Sequence, residues 1–250
     1  MRMTRVYCPI PLSLHTEISL DERTAHHLIN VLRLRVGHMV TVFNGEGHDY
    51  IGKIIRLEKK GAIFMAEIAQ TVDKESPLRI HLGQAISKGE RMDLVIQKSV
   101  ELGVTEITPL ITDYCNIKLD EERREKRHEH WQRVAIGAAE QCGRAIVPMV
   151  HAPTLLSDFL QTHQNCPTKM IMHYREAKPL SSLPSPVTQE GKAGDIALII
   201  GPEGGLTDQE IANAILQNFQ VTSLGPRILR TETAPLVAIS ILQAQWGDLK

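Results

Sequence analysis

Two glycine-punctuated segments late in the chain carry the residue types that chemistry needs. In the first, Ile199-Ile200-Gly201-Pro202-Glu203-Gly204-Gly205-Leu206 follows an apolar run and precedes Thr207-Asp208-Gln209-Glu210, a capping box that opens a helix. Three glycines and a proline between a buried strand and a helix mark the crevice at the carboxyl end of an open α/β sheet, where ligands bind. Without Cβ atoms a flat ligand can lie against the backbone, whose N–H and C=O groups can read an adenine edge. The same residues also suit a tight strand-to-helix turn that holds nothing. In the second, Leu224-Gly225-Pro226-Arg227-Ile228-Leu229-Arg230-Thr231-Glu232-Thr233-Ala234 again leaves a strand and enters a helix. It brings two guanidinium groups and a carboxylate to a strand end. The alternative there is that Arg227 and Arg230 pair with nearby carboxylates while Thr231 or Thr233 caps the helix.

Other common sites are absent. Gly45-Glu46-Gly47 has Tyr50 where a dinucleotide turn needs its third glycine, and Gly191-Lys192 has Pro186 where a phosphate-binding loop needs its first. There is no Gly-x-Ser-x-Gly elbow. Cys8, Cys115, Cys142 and Cys166 form no CxxC pair, so neither a disulfide framework nor a zinc site is expected and a reducing cytoplasm is. His26-His27 lacks a third ligand, and no metal is expected.

The elements that must position these segments fall into two patterns. Up to residue 72 the chain predicts a helix over 21–32 capped by Asp21, then alternating runs at 39–43, 49–57 and 62–68. Asn44-Gly45-Glu46-Gly47 and Lys59-Lys60-Gly61 punctuate them as hairpin turns. That is a small antiparallel sheet or barrel, a first domain of 1–72. Val72-Asp73-Lys74-Glu75-Ser76-Pro77 reads as a linker into a second domain of 73–250. There strands and helices alternate: strands at 78–85, 106–111, 169–173, 196–200 and 219–224, with helices at 91–102, 120–142, 207–218 and 234–246. This predicts an α/β domain with a largely parallel sheet. Residues 179–194, rich in Ser, Pro and Gly, read as a surface loop.

The chain has 250 residues, 28 Lys+Arg against 29 Asp+Glu and a formal charge of −1, which excludes a protein basic all over. No apolar run approaches the roughly 20 residues of a membrane span, and no apolar stretch of a secretory signal follows Met1-Arg2-Met3-Thr4-Arg5. Charge is unevenly divided. Residues 1–72 hold nine Lys/Arg against seven Asp/Glu, and Arg2, Arg5, Arg23, Arg33 and Arg35 all fall within the first 35. Those arginines are either a phosphate-binding stripe or ordinary solvated surface.

Taken together, the segments at 201–205 and 224–234 resemble the signatures of the ribosomal RNA small subunit methyltransferase E family, in the SPOUT class of knotted S-adenosylmethionine-dependent methyltransferases. Lys88-Gly89-Glu90-Arg91-Met92-Asp93, Gln97-Lys98-Ser99-Val100-Glu101-Leu102-Gly103-Val104 and Glu140-Gln141-Cys142-Gly143-Arg144 are similar to the family too, as are Arg5-Val6-Tyr7 and the stretch from His26 to Arg33. The resemblance covers nearly the whole chain. It implies a PUA-like RNA-binding β-barrel domain followed by a SPOUT α/β domain with a trefoil knot. It also implies a homodimer that methylates N3 of one uridine in 16S rRNA of the small ribosomal subunit.

On that resemblance, S-adenosyl-L-methionine is held by three loops: Met172 and His173; Ile200, Gly201, Pro202, Glu203 and Gly204; and Leu224, Gly225, Arg227, Ile228 and Leu229, with Thr233 and Ala234 beyond. Met170-Ile171-Met172-His173-Tyr174-Arg175-Glu176 departs from the family's sequence but keeps its apolar-then-polar pattern, so only the backbone role carries over. Arg2, Arg5, Arg23, Arg33, Arg35, Lys88, Arg91 and Arg144 are the expected RNA contacts. Methyl transfer needs nucleophile, methyl carbon and sulfur in line, and the uracil N3–H must lose its proton or have its developing charge stabilised. Arg230 is the expected stabiliser, with Glu232 or Glu203 as base or orienter. The first turn of a helix favours an ionised carboxylate, which suits Glu232 to orienting Arg230. Two rival readings are an RNA-binding or ribosome-assembly factor without catalysis and a knotted methyltransferase acting on another RNA.

Overall fold

The computed structural model describes residues 3–58, 61–115, 120–174, 177–186 and 194–249. The chain divides into two compact units, Met1–Glu75 with Ala139–Val147, and Ser76–Ala138 with Pro148–Lys250.

The first unit contains β1 (Arg5–Tyr7), β2 (Glu17–Leu20), α1 (Glu22–His26), β3 (Met39–Phe43), β4 (His48–Glu58) and β5 (Gly61–Thr71). The sheet runs β1-β3-β4-β5-β2. The expected all-antiparallel sheet is in fact mixed, because β1 pairs with β3 in parallel. No hairpin joins those two strands; β2 and α1 lie between them in sequence, and such a crossover permits parallel pairing. Asp21 caps α1 by accepting from the Thr24 N–H. The helical stretch then widens into a π turn over His27–Val31, closed by Leu32 N–H to His27 O at 3.0 Å. Val6, Leu20, Leu28, Val40, Val42, Ile54 and Phe64 form the core. β4 and β5 are bulged beside Gly52, where a Cβ would sit 1.9 Å from Met65 O, so no larger residue fits.

The second unit contains β6 (Arg79–Ala85), α2 (Arg91–Glu101), β7 (Glu106–Ile111), α3 (Glu121–Cys142, whose last turn groups with the first unit), β8 (Met149–Val150), β9 (Thr154–Leu155), α4 (Leu156–Thr162) and β10 (Thr168–Met172). It continues with β11 (Lys178–Pro179), β12 (Asp195–Ile200), α5 (Asp208–Leu216), β13 (Gln220–Ser223) and α6 (Ala234–Trp246). The sheet runs β11-β13-β10-β12-β6-β7-β8, with β9 also on β7, and every pairing is parallel. Its central strands are sandwiched on both faces, and Ile80, Leu82, Met170, Ile171 and the run Ile196 to Ile200 are buried accordingly.

Helix boundaries follow local chemistry. Thr207 and Glu210 complete the capping box of α5. Gly103 takes φ +84° after α2, as a C′ glycine should. Two expectations fail. Thr233 is the N-cap of α6 yet makes no side-chain capping bond, and Thr231 turns inward instead of capping. The region 179–194 is not simply a surface loop: Leu180 and Leu183 are buried around a short 3₁₀ turn, Leu180–Ser182, while 187–193 lie outside the described residues. α4 was missed as well, although Leu156, Phe159 and Leu160 are spaced as one buried helix face.

Candidate active site

Both glycine-rich segments, with the end of β10, wall one cleft of about 530 Å³ at the carboxyl ends of β10, β12 and β13. Apolar walls come from Met172, Ile200, Leu206, Leu224 and Leu229, and the glycines at 201, 204, 205 and 225 leave backbone exposed between them. A Cβ on Gly201 would approach Leu206 Cγ at 3.0 Å, so this glycine permits a tight turn under the cleft floor.

A buried polar chain holds two of these walls together. Thr231 Oγ1 donates to Gly201 O at 2.8 Å and accepts from Gln84 Nε2 at 3.0 Å. Thr231 therefore ties the 201–205 loop to the 224–233 loop from below, with Gln84 fully buried at the end of β6. Such a chain fixes geometry because each member would be costly to leave unpaired. The Arg230 carbonyl accepts from Thr233 and Ala234 N–H groups, which sets the entry into α6.

Charge is concentrated on one side of the cleft. Arg91 Nη1 meets Glu203 Oε1 at 2.5 Å, and its Nε lies 3.8 Å from Glu232 Oε1. Glu232 thus faces Arg91, and not Arg230 as the sequence suggested; α2 delivers a guanidinium that no local spacing could reveal. Among the described residues Glu232 Oε2 is buried without a hydrogen-bond partner. Glu203 is held below the usual carboxylate range: burial opposes ionisation, and hydrogen bonds from its own backbone, from Arg91 and from the Lys88 backbone outweigh it. Among the described residues Arg227 and Arg230 make no ion pair, and both line the cleft. The His173 and Tyr174 rings meet at its edge, tilted by 35° with centroids 4.8 Å apart.

All the expected catalytic residues, Arg230, Glu232 and Glu203, and all the expected cofactor residues except Thr233 are in this wall. Tyr174, Gly205, Leu206, Thr222 and Thr231 join them. Gly205 and Leu206 simply continue the glycine motif; Thr222 carries no sequence signal. The expected RNA contacts divide. Arg23, Arg33, Arg35 and Lys88 are exposed, Arg91 belongs to the cleft, and Arg2 lies outside the described residues. Arg5 and Arg144 are structural instead. Arg5 pairs with Asp49 at 2.7 Å, donates to Ala139 O and covers the Phe43 ring; Arg144 pairs with Glu75. Their side chains are 10% and 6% exposed, too little to meet a phosphate.

An RNA methyltransferase domain model matches residues 74–243, and an RNA methyltransferase PUA domain model matches residues 20–65. The chain is 36% identical to the ribosomal RNA small subunit methyltransferase E of Buchnera aphidicola subsp. Acyrthosiphon pisum, covering 100% of this chain and 96% of that protein. The chain belongs to the ribosomal RNA small subunit methyltransferase E family. The Bacillus subtilis relative of that name is 30% identical over 93% of this chain and 91% of its own length. Two solved structures cover 100% of both chains: a Neisseria gonorrhoeae family member bound to S-adenosyl methionine, at TM-score 0.90 and 40% identity, and a Legionella pneumophila methyltransferase with bound cofactor SAM, at 0.94 and 42%. As a methyltransferase of this family the chain has the fold its sequence suggested: a curled sheet of PUA type and a parallel α/β domain. Among the described residues no helix is long and apolar enough to cross a membrane.

Proposed function

We propose that this chain uses S-adenosyl-L-methionine to methylate N3 of one uridine in 16S rRNA of the small ribosomal subunit, working in the cytoplasm as a homodimer. The single observation that carries the reading is the cleft: three strand-end loops, rich in exposed backbone, with Arg230, which has no ion pair among the described residues, and Glu232 lining one space.

The cleft suits the cofactor by size and by donor set. Its volume lies within the few-hundred to about 1,000 Å³ range of small-molecule sites. Gly201, Gly204 and Gly225 would admit the flat adenine against backbone polar groups, and the Glu232 carboxylate on the cleft wall supplies negative charge for an ammonium group. When bound, the cofactor supplies an electrophilic methyl on sulfonium sulfur. This chain must then place uracil N3 in line and stabilise the negative charge that spreads to O2 and O4 as N3 loses its proton. Arg230, exposed on the cleft wall and without an ion-pair partner among the described residues, can donate to such an oxygen. Glu203 is tied to Arg91 and its depressed pKa makes it a poor base. Glu203 therefore orients Arg91, and the proton leaves to solvent or to a group on the RNA.

The PUA-type domain and the exposed Arg23, Arg33, Arg35 and Lys88 support RNA binding. The family's trefoil knot is part of the same proposal. The test is nucleoside mass spectrometry of 16S rRNA after incubation of unmodified small subunits with the chain and cofactor. 3-Methyluridine is expected. A ribose-methylated nucleoside would replace the reading with another methyltransferase chemistry, and no methylation despite tight RNA binding would favour an assembly factor.

A further inference from the structure

At the opposite, amino-terminal end of the parallel sheet, four side chains from four segments converge. His81 on β6 and Glu106 on β7 are register partners. His151 follows β8, its N–H bonded to Ile107 O at 2.8 Å, and His163 closes α4. The Glu106 Oε2 atom lies 2.7 Å from His151 Nε2 and 3.6 Å from His81 Nδ1, and His163 Nε2 lies 2.8 Å from His81 Nδ1. One donor atom from each of His81, Glu106 and His151 can be chosen within 4.8 Å of the others. Among the described residues Glu106 has no Lys or Arg partner; its ion-pair neighbours are the two histidines.

We propose that His81, Glu106 and His151 form a binding site for a divalent transition-metal ion, zinc by chemistry, with His163 packed behind His81. The convergence of these three donors around a carboxylate with no Lys or Arg partner among the described residues carries the argument. His163 Nδ1 faces Phe159 O at 2.9 Å; a carbonyl only accepts, so that nitrogen holds the ring's proton and Nε2 presents a lone pair. His81 Nε2 faces Thr108 Oγ1 at 2.8 Å, where the hydroxyl can donate or accept. Without metal the network closes on neutral rings, Thr108 O–H donating to His81 Nε2 and His81 Nδ1–H to His163 Nε2; with metal, His81 Nε2–H would donate to Thr108 and leave the Nδ1 lone pair for the ion. Ligating histidines are held in this way, with the remote nitrogen fixed by a carbonyl or hydroxyl. Two imidazoles and one carboxylate suit zinc; magnesium and calcium prefer oxygen ligands. Zinc bonds of about 2.0–2.2 Å require donors roughly 3.3–3.6 Å apart, so the three side chains, whose donors lie within 4.8 Å of one another, would close in on the ion. Three protein ligands leave the fourth position to water, and the ion would brace β6, β7 and the end of β8 at the end of the sheet remote from the cleft.

The test uses the full-length chain without a histidine tag, stripped with chelator and dialysed against Zn²⁺ or Co²⁺. One metal ion per chain is expected, with the visible ligand-field spectrum of tetrahedral Co²⁺ on nitrogen and oxygen, and a melting temperature that rises with Zn²⁺ and falls back with EDTA. His151→Gln and Glu106→Gln, both at partly exposed positions, should fold and bind Zn²⁺ at least about tenfold more weakly. Substoichiometric metal, a thiolate charge-transfer band, or unchanged affinity in both variants would overturn the site. Methyl transfer by the metal-free and metal-loaded chain should be equal, so this result stands apart from the fate of the proposed methylation.

Discussion

The two ends of the parallel sheet are built from opposite materials. At the carboxyl ends, glycines strip side chains away and leave backbone, one buried threonine link and a few charges around an open cleft. At the amino ends, side chains fill the space: His81 stacks on His151 at 5.2 Å and meets Phe159 and His163 edge-on. Strand ends with glycine loops can accommodate a ligand that comes and goes; strand ends closed by imidazoles can only hold themselves, or an ion, together. The difference predicts that perturbing the first end changes chemistry and perturbing the second changes stability.

The sharpest break would come at Arg230. Replacing one preorganised donor to a developing oxyanion costs about 10²–10³ in kcat. Arg230→Ala should show that loss in single-turnover methylation with an unchanged melting temperature, because the side chain is exposed. Loss of stability instead would put Arg230 in the same class as the histidines. Next in size is Thr231→Val, which deletes the donor to Gly201 O and the acceptor for Gln84. Leaving buried groups unpaired costs about 1–3 kcal/mol, so both denaturation midpoint and cofactor affinity should fall. A variant that lost affinity alone would show the link to be local to the loop.

Acid separates the two ends by a smaller amount. Burial first, then the neighbouring His163 and His151, push the His81 pKa from 6.5 down to about 3. Between those values the unfolded chain binds more protons than the folded one, so stability rises with pH across that window and is lost as pH falls below 6.5. In chelator the expected loss by pH 5 is at most about 2 kcal/mol, read by urea denaturation and flattened in His81→Gln. Glu203 acts in the same direction but in a lower window. Its folded pKa is depressed, so its contribution is present above the unfolded carboxylate value and is lost as pH falls through the lowered one. Cofactor binding at pH 5 should therefore be unchanged where stability is already falling.

The same contrast decides what could be read from the amino-acid sequence. Each cleft loop is one contiguous stretch in which glycine spacing, strand and helix cap reinforce one another, so Gly201 to Gly204 and Leu224 to Leu229 were legible together. Arg91 was legible as a basic residue but not as the partner of Glu203 and Glu232, because the pairing spans 112 residues in the first case and no local rule connects α2 to a distant loop. Arg5 and Arg144 failed for a related reason. Composition cannot tell a guanidinium that binds phosphate from one that Asp49 or Glu75 has already neutralised. The histidine cluster was wholly invisible: positions 81, 106, 151 and 163 have no motif spacing, and only parallel register makes His81 and Glu106 neighbours. The β1 pairing was missed because a three-residue strand leaves no alternating pattern.

Arg91 gives the finest probe of the difference between the ends. Its contacts with Glu203 and Glu232 look like a brace, yet its side chain is 44% exposed and that of Glu203 is 39% exposed. Ion pairs so wetted contribute up to about 1 kcal/mol. Arg91→Met keeps the aliphatic stem and removes the charge, leaving Glu203 solvated and the Glu232 carboxylate without a cation. Stability should change by less than about 1 kcal/mol, while affinity for S-adenosyl-L-methionine, whose ammonium would share Glu232, should rise or hold. A cost of 2 kcal/mol or more, on the scale expected for a buried pair with one partner removed, would mean that the carboxyl end is braced by side chains after all. Then the open cleft would owe its shape to charge pairing, and the backbone link through Thr231 would be secondary.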